Sequence, residues 1–145
     1  MTYHICSPKT KKEFHDYYYF RWEYLRKSLN KDLGTEKDNI EEKSIHRIVK
    51  DNQNLIIAIG RLHYNSEFES QVRYFAVDTN FRRMGIGSFL MHDLEDIAIN
   101  QNRINMVLNA RENAISFYKS LGYSVIKKTN LLFGKIQHYK MKKAL

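Results

Sequence analysis

The residues best suited to chemistry in this chain are Arg82-Arg83-Met84-Gly85-Ile86-Gly87. Glycines one residue apart let the backbone reach dihedrals closed to other residues and keep side chains out of the way. Successive N–H groups can then point at a single anion, and a helix starting there adds the positive end of its dipole. Arg82 and Arg83 supply mobile countercharge, so the ligand chemistry indicated is a group carrying several negative charges. A purely structural turn ahead of a helix is the plain alternative. Cysteine chemistry is nearly closed. Cys6 is the only cysteine, which excludes an internal disulfide and every cysteine-based zinc arrangement, and it lies too near the terminus to serve as a nucleophile.

The loop needs a strand to deliver it and a helix to receive it, and the pattern around it supplies both. Gln71 to Asp78 reads as a strand in which Val72, Tyr74 and Ala76 alternate with Arg73, Phe75 and Val77. From Gly85 to Asn100 the period changes, with Ile86, Phe89, Leu90, Leu94, Ile97 and Ala98 at helical spacing, and Ile104 to Asn109 returns to strand. Upstream, Tyr3 to Ser7 forms a first strand. Lys11 to Leu29 forms a helix through Phe14, Tyr17, Tyr18, Trp22, Leu25 and Leu29, a stripe that faces either a core or a substrate. Thr35 to Ser44, carrying Glu36, Asp38, Glu41 and Glu42, includes a short second helix with a solvated acidic face. His46 to Lys50 and Leu55 to Tyr64 make a hairpin across Asp51-Asn52-Gln53-Asn54, and Asn65 to Ser70 is the next turn. Downstream, Asn113 to Leu121 is a helix with Asn113 placed to cap it and Gly122 to end it; strands follow at Tyr123 to Lys128 and Gly134 to Met141. The order describes an α/β (α+β) chain with a mixed sheet and helices on its faces.

The 145 residues fit one domain, 1–145, with no Gly/Ser linker, low-complexity tract or repeat to mark a boundary. Apolar residues make up 43% and proline occurs once, which argues for a folded body. No apolar run approaches the roughly 20 residues of a membrane span, and Met1-Thr2-Tyr3-His4 lacks a signal-peptide pattern, so a soluble cytoplasmic protein is expected. The formal charge of +8 raises nucleic-acid binding as a rival. The lysines are scattered, in short clusters at 9–12, 127–128 and 142–143, without a basic stripe interleaved with aromatics, and that disfavours it.

Two ordered segments then carry a family resemblance. Arg82 to Gly87, preceded by an apolar strand ending Tyr74-Phe75-Ala76-Val77, resembles the pyrophosphate-binding loop of the GNAT acetyltransferase superfamily. Asn113-Ala114-Ile115-Ser116-Phe117-Tyr118-Lys119-Ser120-Leu121-Gly122-Tyr123 matches the superfamily's helix-plus-Gly-aromatic signature, one helix and one strand later. Arg21-Trp22, Leu25-Arg26, Gly60-Arg61-Leu62-His63 and Asn109-Ala110-Arg111-Glu112 are similar to a stand-alone bacterial subgroup, itself similar to the acetyltransferase half of a fused acetyltransferase–thioesterase.

The resemblance implies a mostly antiparallel sheet of about seven strands flanked by about four helices, with two splayed strands forming a cleft for coenzyme A. It implies an acyltransferase that moves the acetyl group of acetyl-CoA to an amine within a ternary complex. The strand at Phe75, Ala76 and Val77 would offer backbone groups to the pantetheine arm. Arg82, Arg83, Met84, Gly85, Ile86, Gly87 and Ser88 would hold the pyrophosphate, and no metal is implied. Asn113 matches an asparagine that touches the cofactor arm, in addition to any capping role. Tyr118 matches a tyrosine that often protonates the departing thiolate, a task open to a phenol of ordinary pKa near 10; its spacing from Ala114 and Leu121 also fits a core aromatic. The general base stays open among Glu36, His63, Tyr74, Glu112 and His138, with His63 also readable as a structural histidine and Glu112 as a helix-start acid. Acceptor walls would fall at Arg21 to Glu42 and Leu131 to His138, whose acidic and aromatic content suits a cationic acceptor. A homodimer is a further family possibility. An acyl-CoA-binding module without turnover is the main rival.

Overall fold

The computed structural model describes residues 2–145. Seven strands are hydrogen-bonded in the order β1-β2-β3-β4-β5-β7-β6, with three α-helices. The strands are β1 His4–Cys6, β2 Ile45–Lys50, β3 Ile56–Tyr64, β4 Glu69–Val77, β5 Asn105–Arg111, β6 Ser124–Leu132 and β7 Ile136–Ala144; the helices are α1 Lys11–Leu25, α2 Ile86–Asn100 and α3 Ile115–Ser120. The mixed, mostly antiparallel sheet expected from the sequence is therefore present, with one α-helix fewer than expected. The chain gathers into two compact units, one of residues up to His63 with Tyr74–Leu94, the other of Tyr64–Arg73 with Glu95–Leu145.

In the first unit α1 begins at a reciprocal cap. The Glu13 N–H donates to Thr10 Oγ1 at 3.1 Å and the Thr10 N–H donates to Glu13 Oε1 at 3.2 Å, satisfying two of the helix's orphan donors. The helix stops at Leu25, four residues short of the expected end. Lys27–Leu29 tightens into a 3-10 turn that Asn30 closes in a left-handed conformation, φ 57°. The buried face is Tyr17, Phe20 and Arg21, so the aromatic stripe does face the core but a charged residue lies in it. Tyr17 and Phe20 pack with Ile48, Ile59 and Ala76. The expected helix at Thr35 to Ser44 is a series of turns with a single 3-10 turn at Glu41–Lys43. A run of turns fits there because its backbone donors bond to side chains of the same segment instead of to helical carbonyls: the Ile40 N–H donates to Asp38 Oδ1 and the Asp38 N–H to Glu41 Oε2.

The β2–β3 hairpin closes where Asp51 Oδ1 accepts from the N–H groups of Gln53 and Leu55. Gly60 in β3 is required by close approach. A Cβ there would come within 3.0 Å of Leu94 Cδ1 and 3.2 Å of Phe75 Cδ2, so α2 lies directly on the strand.

In the second unit β4 runs parallel to β5 from Glu69↔Asn105 to Val72↔Leu108, and β5 runs antiparallel to β7 along its whole length. Consecutive burial of Met106, Val107 and Leu108 marks β5 as covered on both faces. The end of α3 departs from the expected start but not the expected stop. The Gly122 N–H donates to the Lys119 carbonyl and the Tyr123 N–H to the Tyr118 carbonyl, with Gly122 at φ 98°, a Schellman closure that only glycine enters without strain. At the other end a 3-10 turn at Glu112–Ala114 precedes α3, the cap is Ala114, and no side chain caps it. Asn113 is thus exposed and inside that turn, not the expected cap, because α3 begins one residue later than its position requires.

Candidate active site

The anion-binding candidate lies in the first unit, between the end of β4 and α2. Asp78 opens the connection with its carboxylate accepting from the Asn80 N–H at 2.8 Å. Arg82, Arg83, Met84 and Gly85 are exposed, Ile86 is buried at the start of α2, and Gly87 and Ser88 are half-buried. Arg83 and Gly85 are both left-handed, φ 63° and 80°. A Cβ built on Gly85 meets nothing within 4 Å. The glycine is there for its dihedral and for open space beside the backbone, which is what a group docking on successive N–H groups needs. The Phe89 N–H already donates to the Gly85 carbonyl at 3.0 Å, so the first turn is formed.

Phe75, Ala76 and Val77 end β4, with Ala76 buried and its neighbours half-buried. The ladder to β5 has ended at Val72↔Leu108, and Tyr74, two residues on, has φ 55°. A bulky residue in the left-handed region is strained. What over-determines it is charge: the guanidinium carbons of Arg21, Arg61 and Arg26 stand 4.1, 4.9 and 5.8 Å from its ring centroid.

Those arginines belong to a buried ion network that the sequence reading did not assemble. Arg21 and Arg61 have no exposed surface. Arg61 donates to both oxygens of Asp38 at 2.7 and 2.9 Å and to Glu41 Oε2 at 3.0 Å. Arg21 donates to Glu41 Oε2 at 2.8 Å, to the Glu36 carbonyl at 3.1 Å and to the Tyr17 hydroxyl at 2.6 Å. Burial alone would pull Arg61 down, but Asp38 and Glu41 more than offset it and hold its pKa above the usual value. The donors run one way. Arg21 donates to Tyr17, whose hydroxyl donates to His46 Nδ1 at 2.7 Å, and His46 Nε2 donates to the Glu41 carbonyl at 2.8 Å. His46 is therefore the neutral Nε2–H tautomer, its pKa lowered first by burial and further by Arg21 and Arg61, against the opposing carbonyl bond. The signal available in sequence was one arginine inside the apolar stripe of α1 and another inside an apolar strand.

The second unit carries Asn113 and Tyr118. Tyr118 is buried, edge-on to Phe117 at 5.0 Å and to Tyr123 at 5.9 Å. Burial pushes its phenol above the ordinary value of 10, with Arg111 pulling partly the other way, so it is not the unperturbed phenol expected from sequence. Each of the five candidate bases has its own surroundings. Glu36 is buried with Oε1 accepting from the Gly34 N–H at 2.7 Å. His63 Nδ1 faces Arg61 Nη2 at 3.3 Å. Tyr74 is the strained residue under the arginines, Glu112 is exposed, and His138 is buried with Nδ1 donating to the Ile136 carbonyl at 3.0 Å.

Comparison with known proteins bears on both units. The family model described as an acetyltransferase (GNAT) domain matches residues 13–145. The chain is 30% identical over 135 residues to the uncharacterized N-acetyltransferase YjcF of Bacillus subtilis (strain 168), spanning 93% of this chain and 95% of that one. Its fold is similar to that of a GNAT-family acetyltransferase from Staphylococcus aureus Mu50, TM-score 0.82 at 19% identity over 99% of each chain. It is also similar to a GNAT-family acetyltransferase from Elizabethkingia anophelis with acetyl-CoA bound, TM-score 0.72 at 15% identity over 99% of this chain and 97% of that one.

Proposed function

Because the chain belongs to the GNAT acetyltransferase family, we propose that it transfers the acetyl group of acetyl-CoA to an amine by direct attack in a ternary complex. The observation that carries this reading is the loop at Arg82 to Ser88. Two left-handed residues, a glycine with open space beside it and two exposed arginines precede the first turn of a fifteen-residue helix, the fit a pyrophosphate requires. Phe75, Ala76 and Val77 would pair with the amides of the pantetheine arm, and Asn113 is assigned to the cofactor by its match to the family's asparagine. The Elizabethkingia protein binds acetyl-CoA, and this chain is assigned the same cosubstrate.

The acceptor arrives largely as an ammonium of pKa near 10 and must lose a proton before its nitrogen attacks the acetyl carbonyl. The C–S bond then breaks and the thiolate leaves. Tyr118 is assigned to the thiolate, but its raised pKa changes the role. A buried phenol above 10 surrenders its proton reluctantly to a thiolate whose conjugate acid lies near 8.5, so it acts as a hydrogen-bond donor that stabilises the leaving sulfur. The reading includes a cytoplasmic location; no helix of the described residues is long and apolar enough to cross a membrane.

The test is thermal shift with acetyl-CoA and CoA, followed by CoA release across an amine panel. At ligand a hundredfold above its dissociation constant the stabilisation should be about 2.7 kcal/mol. Gly87→Glu should abolish the shift while the fold persists. No shift with either ligand removes the cosubstrate assignment, and binding without CoA release on any amine leaves the module without turnover as the function.

A further inference from the structure

Lys37, in the turns between α1 and β2, is exposed, and its ammonium is in no ion pair among the described residues. Its nitrogen instead stands over the ring of Tyr18, 4.2 Å from the centroid. Tyr18 belongs to a cluster of rings: Phe14 stacks on it at 6.1 Å, Tyr17 tilts against it at 5.1 Å and His46 meets it edge-on at 6.1 Å. Ring faces carry negative quadrupole density, and groups of aromatic rings are a recurrent way to hold an alkylated ammonium.

The carboxylates near this face are already committed. Asp38 and Glu41 balance Arg21 and Arg61, two charges against two. What the face offers a cation is therefore mainly its ring, which suits an ammonium carried on an apolar stem and not a metal ion; no group of metal-ligating side chains exists among the described residues. One acceptor is left over. Glu41 Oε2 takes bonds from Arg21, Arg61 and the Asp38 N–H, while Glu41 Oε1 is enclosed and takes none. The Glu41 charge is felt at Tyr18, whose phenol is pushed up by burial and then by Glu41, with Arg21 and Arg61 opposing.

We propose that the ring face of Tyr18 is the acceptor's ammonium subsite, occupied by Lys37 of the same chain until a primary alkylammonium displaces it. The acceptor is then a primary aliphatic amine, and Lys37 is its built-in competitor. This rests on the transferase reading for its meaning, but not for its test.

The probe is n-butylammonium chloride, titrated in the absence of acetyl-CoA and followed by NMR of the aromatic side chains, with n-butanol and sodium chloride as controls for stem and charge. Lys37→Met removes the competitor at an exposed position and should tighten binding about 3- to 30-fold. Tyr18→Leu should lose it, and Tyr18→Phe, which keeps the ring should Leu unfold the site, should retain it. Equal affinity in wild type and Lys37→Met, no binding to either, or full binding by Tyr18→Leu overturns the subsite. Acetyl-CoA thermal shift on the same variants separates the two readings. A normal shift with no butylammonium effect removes the subsite alone, and butylammonium binding with no acetyl-CoA shift removes the transferase alone. Spermidine against Nα-acetyl-lysine methylamide then distinguishes a free polyamine from a peptide lysine.

Discussion

Replacing Arg61 by methionine keeps most of its apolar stem and deletes a charge that has no exposed surface of its own. The guanidinium makes three bonds to carboxylate oxygens, at 2.7, 2.9 and 3.0 Å, and no part of the side chain is exposed. Removing it takes both guanidinium bonds from Asp38 and leaves Glu41 with Arg21 and the Asp38 N–H. Breaking one side of a buried pair costs about 3–5 kcal/mol, chiefly through the charge left behind, a large share of the roughly 5–15 kcal/mol that holds a domain folded. Urea unfolding followed by far-UV circular dichroism and Trp22 fluorescence should show the loss at unchanged m, with Tm lower by about 10 °C. Arg61→Met with Asp38→Asn should be less destabilised than the sum of the single variants, by about 1–3 kcal/mol, because the stranded charge is gone. A loss below about 1 kcal/mol for Arg61→Met, or strict additivity, would refute the claim that these charges are desolvated partners.

Gly60→Ala should destabilise the fold by about 1–3 kcal/mol in the same urea assay, since its Cβ would meet Leu94 Cδ1 at 3.0 Å; neutrality would mean α2 shifts freely. Gly85→Ala meets no atom but forces a side chain to φ 80°, so it should cost about 1 kcal/mol and weaken acetyl-CoA binding in a titration. His46 has a folded pKa below its unfolded 6.5, so its contribution to stability is complete above pH 6.5 and is lost as pH falls below it. The urea midpoint should drop between pH 7.5 and 5, and His46→Asn should flatten that slope. Tyr118→Phe keeps the ring beside Phe117 and Tyr123 and should lower turnover about 10- to 1,000-fold with acetyl-CoA affinity little changed; wild-type turnover while chemistry is rate-limiting would leave Tyr118 a core aromatic.

Sequence alone determined whatever depends on local order. Alternation fixed β4 and the helical period fixed α2. Gly85 and Gly122 fall where the backbone turns left-handed, and the two ordered segments identified the family. These features are legible because a dihedral, a turn or a periodic face is set within a few residues. Tertiary structure decided the rest. Asn113 has a capping residue's chemistry but lost the role when a 3-10 turn took its place, and Thr35 to Ser44 has helical composition but turns to serve partners elsewhere in the first unit. Tyr118 looks like any phenol until burial raises it. The charge network needed Arg21, Asp38, Glu41 and Arg61, far apart in the chain, to meet around two guanidinium groups with no exposed surface. Coulomb energy depends on distance and dielectric, and neither is defined until the chain has folded.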